Sequence, residues 1–146
     1  MNSEFIVADT SVLLKWFLHS DEPYREQALL LFGRFKSGDL RILLPELALY
    51  ELGNRLLRLP SSGLELFLHA LELLTDIVPF EAGEMKGLAE SIARLHARGL
   101  KKITFYDGAY IYVALLTECP LLTADVLQAK AGQLLNVSAV LLKDYQ

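Results

Sequence analysis

Four of the 18 acidic residues in this chain have settings unlike the rest. Asp9 closes the apolar run from Phe5 to Ala8, and Glu51 lies inside the leucine-rich stretch PELALYELGNRLLRL. Asp107 sits near the start of TFYDGAYIYVALL, and Asp125 ends PLLTAD. Glu22, Glu26, Glu65, Glu84 and Glu90 instead fall where helices meet water, and Asp21, Asp39 and Asp76 fall in turns. Carboxylates brought together repel, and some take up protons unless a cation lies among them. An all-oxygen donor set of this kind suits a hard divalent cation, Mg²⁺ or Mn²⁺. His19, His69 and His96 lie outside these stretches, which argues against zinc.

Each acid also has a purely structural reading. Asp9 precedes a helix and is a natural cap. Asn54, Arg55 and Arg58 follow Glu51 at three, four and seven residues, so all four share one helix face, a polar stripe with an internal Glu–Arg pair. Asp107 falls in a first helical turn, where the dipole favours an acid, although the helix is apolar enough to be buried. Asp125 mirrors the setting of Asp9: apolar strand, a hydroxyl residue nearby, then acid, then helix. Two parallel strands ending in acids place both on one sheet edge, where open α/β proteins bind ligands. If Thr10 or Ser11 caps the first helix, the Asp9 carboxylate stays free.

The elements that would position these acids alternate. Strands are expected at Phe5 to Ala8, Arg41 to Leu44, Ile77-Val78, Pro120 to Thr123 and Ala139 to Leu142. Helices are expected after Asp9, from Pro23 to Lys36, from Pro45 to near Pro60, and from Leu64 to Leu74. Three more follow: Glu81 to Arg98, closed by Gly99; Phe105 to Thr117; and Asp125 to Leu135. His19, Ser20 and Asp21 form a turn, and Lys101 to Thr104 a loop. This order implies one α/β domain over residues 1–146. Its fold is a three-layer α/β/α sandwich with a central parallel sheet of four to five strands.

The four stretches VADTSVLLKWFL, PELALYELGNRL, TFYDGAYIYVALL and CPLLTAD stand in the order and spacing of a PIN domain. The chain resembles in particular the VapC-type ribonuclease toxins of prokaryotic type II toxin–antitoxin pairs. The resemblance extends over essentially the whole chain. It implies that Asp9, Glu51, Asp107 and Asp125 form the acidic quartet that binds Mg²⁺ or Mn²⁺ and cuts RNA. It also implies a homodimer and a small cognate antitoxin that occludes the site. Gly108 stands where such proteins commonly have alanine, and Val126-Leu127 where they often carry charge. Neither change removes a ligand.

Thr10, Ser11 and Thr123 are candidate hydroxyl supports for the metal ligands. Lys15, Arg55, Arg58, Lys101 and Lys102 are candidate contacts to RNA phosphates. Trp16 and Tyr106 are possible stacking partners for bases, although core packing is the simpler expectation for both. Composition sets further bounds. Net charge is -4, which excludes a broadly basic surface but not a local basic groove. The hydrophobic share of 53% predicts a buried partner interface. No apolar run is long enough to span a membrane, the N-terminus lacks signal-peptide features, and Cys119 is the only cysteine, so a cytoplasmic protein is expected. A non-catalytic PIN-like module binding RNA or protein is the main alternative. A receiver-like phosphoryl-transfer pocket fits poorly, because it has no place for Glu51 and Asp107.

Overall fold

The computed structural model describes residues 2–18 and 21–146. His19 and Ser20 of the expected turn lie outside the described residues. In chain order the elements are β1 (Glu4–Ala8), α1 (Thr10–Phe17), α2 (Arg25–Ser37), β2 (Leu40–Pro45), α3 (Leu47–Leu56) and α4 (Gly63–Leu73). They continue with β3 (Ile77–Val78), α5 (Ala82–Ala97), α6 (Phe105–Thr117), β4 (Leu121–Thr123), α7 (Val126–Leu134) and β5 (Ala139–Leu141). A 3-10 turn, Leu142–Asp144, follows.

The strands form a five-stranded parallel sheet in the order β3-β2-β1-β4-β5, flanked by helices in a PIN-like α/β sandwich. β1 is central because its last three residues, Ile6, Val7 and Ala8, are apolar and can be covered on both faces; all three are buried. From β1 the chain moves outward to β2 and β3, then returns to β4 on the other side. The strand order therefore reverses between β1 and β4. That crevice, beyond the carboxyl ends of the strands, is where such sheets accept ligands. Val7 pairs with Leu121 and Ala8 with Leu122. The next backbone N–H, that of Asp9, donates to Leu122 O at 3.0 Å. The β1–β4 register therefore delivers Asp9 to the crevice.

The helix starts carry the acids. Asp9 has extended backbone (φ -69°, ψ 153°) and accepts the Ser11 N–H at 3.2 Å. It caps α1 itself, so the expected cap at Thr10 or Ser11 is corrected: both residues lie inside the helix. A carboxylate one residue ahead reaches the orphan N–H with no helical constraint on its own backbone. α6 begins with a reciprocal capping box between Thr104 and Asp107. α3 is shorter than expected and ends at Leu56, so Arg58 lies in the turn beyond it.

Gly108 has a packing reason. A Cβ there would stand 2.4 Å from Ile92 Cδ1 and 3.0 Å from Leu88 Cδ1, so glycine lets α6 approach α5 closely. Part of the apolar surplus remains on the surface, as Tyr50, Tyr106, Leu64 and Leu30. Among the described residues no helix is long and apolar enough to cross a membrane.

Candidate metal and nucleic-acid site

Asp9, Glu51 and Asp107 meet in one cavity of about 330 Å³, lined also by Thr10, Ser11, Leu14, Asn54 and Arg55. β1 and the start of α1 supply Asp9, α3 supplies Glu51, and the first turn of α6 supplies Asp107. A larger cavity of about 560 Å³ lies between Arg94, Arg98 and Leu134, but no carboxylate lines it. Chemistry, not volume, distinguishes the acid site.

Asp9 is enclosed. Its Oδ2 accepts the Ser11 N–H, and its Oδ1 accepts Gln128 Nε2 at 3.5 Å. Burial pushes its carboxyl above the usual range, the bonds from Ser11 and Gln128 pull it back, and the charge of Asp107 pushes it up again. Burial raises Glu51 in the same way. Two hydroxyls oppose that shift: Tyr110 donates to Glu51 Oε1 at 2.5 Å and Thr10 donates to the same oxygen at 3.0 Å. Asp9 and Asp107 add repulsion at Glu51. Tyr110 is buried, so its phenol is held far above its ordinary range, by burial first and then by the charge of Glu51. It stays a donor at any physiological pH. Its hydroxyl also contacts that of Thr10.

The donor chemistry fits a hard divalent cation: three carboxylates from separate elements face one cavity, and burial and mutual repulsion disfavour the charge of two of them. Among the described residues, no group of three or more His, Cys, Asp or Glu side chains is already placed to hold a metal ion.

The structure brings some expected residues together and separates others. Asp125 does not line the cavity. It is exposed, and its Oδ1 caps α7 by accepting the N–H groups of Leu127 at 2.8 Å and Gln128 at 3.2 Å. Thr10 lies at the site on Glu51. Ser11 lines the cavity, and its Oγ accepts the Ala124 N–H at 3.4 Å, tying α1 to the end of β4. Thr123 is buried and bonds Gln128. Arg55 lines the cavity; Arg58 is exposed in the turn after α3 and no longer shares a helix face with Glu51. Lys101 and Lys102 are exposed in the loop before α6. Lys15 is buried and pairs with Glu22 at 3.3 Å, away from the cavity lining. Trp16 is a core residue whose Nε1 donates to Ala28 O at 2.8 Å. Tyr106, expected in the core, is 62% exposed.

Two residues of the site escape notice in the sequence, Tyr110 and Gln128. Tyr110 has a signal: a buried phenol one turn after an acid, in an apolar helix, must find a polar partner. Gln128 has none, since a glutamine in a helix's first turn ordinarily faces water.

A sequence profile of the PIN domain matches residues 6–134. The chain belongs to the PIN domain family. Among curated protein sequences there is no significant match. Solved structures with the same fold include FitAcB from Neisseria gonorrhoeae, 18% identical with a TM-score of 0.73, covering 95% of this chain and 99% of that one. VapBC2 from Rickettsia felis, bound to a promoter DNA fragment, is 17% identical with a TM-score of 0.68 and coverage of 94% and 98%. DNA-bound VapBC from Salmonella typhimurium is 12% identical with a TM-score of 0.69 and coverage of 97% and 99%. At these identities the likeness shows the PIN fold. PIN domains are generally nucleases, and here the acid cavity lies at the sheet's switch point.

Proposed function

We propose that this PIN domain is a metal-dependent endoribonuclease of the VapC type, the toxin of a type II toxin–antitoxin pair. The observation that carries this reading is the convergence of Asp9, Glu51 and Asp107 on one cavity at the carboxyl end of β1. Cleaving a phosphodiester requires an aligned water and relief of charge building on the phosphate oxygens. A bound Mg²⁺ or Mn²⁺, held by Asp9 and Asp107, would supply that charge and acidify a water. Glu51 is positioned by Tyr110 and Thr10, which restrain its carboxylate from one side and leave its other oxygen to orient water or to support a second cation. Asp125 lies outside the cavity lining with its Oδ1 in the cap of α7, and would enter the shell only through Oδ2. Arg55 lines the same cavity as the acids and would hold a phosphate of the RNA. Lys101 and Lys102, exposed ahead of α6, and Arg58, exposed beyond α3, would add further phosphate contacts.

The resemblance to VapC toxins, together with exposed apolar side chains such as Leu30, Leu64 and Tyr106, supports a homodimer and a small cognate antitoxin as partners. Two observations favour a second reading, a non-catalytic PIN module that binds RNA or protein: the absence, among the described residues, of a ready-made metal cluster, and the place of Asp125 outside the cavity lining. RNA cleavage with Mg²⁺ or Mn²⁺, comparing the native protein with Asp9→Asn, separates the two. Cleavage by the native protein alone is the expected result. Equal cleavage by both sinks the carboxylate mechanism. RNA binding without cleavage by either establishes the binding module.

A further inference from the structure

Gln128 occupies the third position of α7, in the stretch DVLQAKAG, and is 1% exposed. A buried primary amide has to place both its donor and its acceptor. Gln128 does so with partners from three parts of the chain. Its Oε1 accepts Thr123 Oγ1 at 2.6 Å, and its Nε2 donates to the backbone O of Asp107 at 3.1 Å and to Asp9 Oδ1 at 3.5 Å. The acceptor-only oxygens of Asp107 and Asp9 decide which way the amide faces, and Thr123 agrees with them. Its hydroxyl oxygen already accepts the Asp125 N–H at 3.0 Å, so its proton is free for Oε1. With Oε1 committed to β4, the amide protons face Asp9 and α6. The Asp125 cap anchors the backbone of Gln128 at 3.2 Å, so the amide sits on a rigid support.

We propose that Gln128 is a positioning residue of the acid cavity. Its single amide ties the Asp9 carboxylate to the backbone of Asp107 and thereby sets how those two carboxylates face each other. The inference rests on the metal-dependent reading above. A neutral amide suits this place better than the alternatives. An ammonium or guanidinium there would neutralise Asp9 and compete with a cation. An aliphatic side chain would strip a buried carboxylate and a buried carbonyl of a donor. The amide restrains Asp9 without cancelling its charge. It also gives Asp125, which lies outside the cavity lining, an indirect part in the site, since its cap holds the residue that orients Asp9.

The test is Mn²⁺ binding to the RNA-free protein, measured by calorimetry or by the spin resonance of free Mn²⁺, with the metal-free melting temperature recorded alongside. Gln128→Met keeps the length and bulk of the side chain and removes its polar atoms. The expected result is a Kd for Mn²⁺ weakened by roughly 10- to 100-fold, the range seen when groups supporting metal ligands are removed. A Kd within twofold of the native value overturns the proposal, as does a loss confined to the metal-free melting temperature. If Gln128→Met does not fold, Thr123→Val decides by the same two outcomes, because it releases the amide from β4. Native protein that binds no Mn²⁺ overturns the metal reading and this inference with it. Native binding that Asp9→Asn abolishes and Gln128→Met leaves intact overturns the role of Gln128 alone.

Discussion

Replacing Tyr110 with phenylalanine tests the support of Glu51 with little disturbance of packing. Tyr110 is 1% exposed, and its hydroxyl donates to Glu51 Oε1 at 2.5 Å. Phenylalanine fills the same space except for one oxygen, so the cavity cost is small. The main loss is one hydrogen bond to a charged acceptor, worth about 1.5–3 kcal/mol. Glu51 is half-buried and keeps the Thr10 bond at 3.0 Å, so the low end of that range is expected at pH 7.5. For a chain of this length each kcal/mol moves the melting temperature by about 2–4 °C, giving a fall of roughly 3–6 °C. The effect should depend on pH. Burial raises the Glu51 carboxyl, and Tyr110 is the first of the groups that hold it down. Without Tyr110 the folded pKa rises further, so the variant takes up a proton at higher pH than the native protein. Stability contributed by a raised carboxyl is fully present below its unfolded value, near 4.5, and is lost as pH rises through the folded value. The penalty of Tyr110→Phe should therefore be full at pH 7.5 and shrink at pH 4.5, towards the value of a neutral bond. Thermal melts at both pH values, in chelator, read this directly. The acid limb of the cleavage profile should also move to higher pH if ionised Glu51 is required. Equal penalties at both pH values, or an unchanged melt at pH 7.5, would refute the electrostatic role of Tyr110.

Other outcomes follow from the same geometry. Asp9→Asn keeps an acceptor for the Ser11 N–H but sets an amide N–H against Gln128 Nε2, and it removes a charge whose carboxyl is raised by burial, so in chelator the variant's melting temperature relative to the native protein should be highest at neutral pH and fall as pH drops to about 4. The same variant should lose the rise in melting temperature that Mg²⁺ gives the native protein, which mass action sets at about 2.7 kcal/mol when the cation is at 100 times its Kd. Arg55→Ala should weaken RNA binding evenly across sequences and lower the slope of log affinity against log salt by about 0.7, read by fluorescence anisotropy over a salt series. Gly63→Ala should destabilise by about 2–3 kcal/mol in denaturant melts, because its Cβ would stand 2.2 Å from the backbone oxygen of Leu56, which cannot swing aside.

Most of the architecture was legible in the sequence because its elements are short and apolar and end in acids, glycines or prolines. Phe105–Thr117 and Ile77–Val78 fall where periodicity put them, and the remaining boundaries shift by a few residues. The strongest signal was the apolar strand ending at an acid, with a hydroxyl nearby, at both Asp9 and Asp125. It placed both at one edge of the sheet, since a parallel sheet aligns its strand ends. It did not place both in one cavity. Whether a carboxylate faces a cavity or caps a helix depends on one rotamer and on the N–H groups within its reach. At Asp9 burial left the carboxylate in the cavity while it also caps α1; at Asp125 the open start of α7 drew it into the cap alone.

What the sequence by itself determined about this protein is its PIN fold and the place of Asp9 at the end of a central strand, because hydrophobic patterning and chain order dictate which strand ends converge. What only the tertiary structure decided is how the carboxylates of the cavity are held. Tyr110 reaches Glu51 across 59 residues and Gln128 reaches Asp9 across 119, and no local pattern encodes such pairs. They exist because burial leaves a hydroxyl and an amide with no solvent to bond, and packing of α6 against β1, and of α7 against α6 and β4, brings them to the carboxylates that need donors.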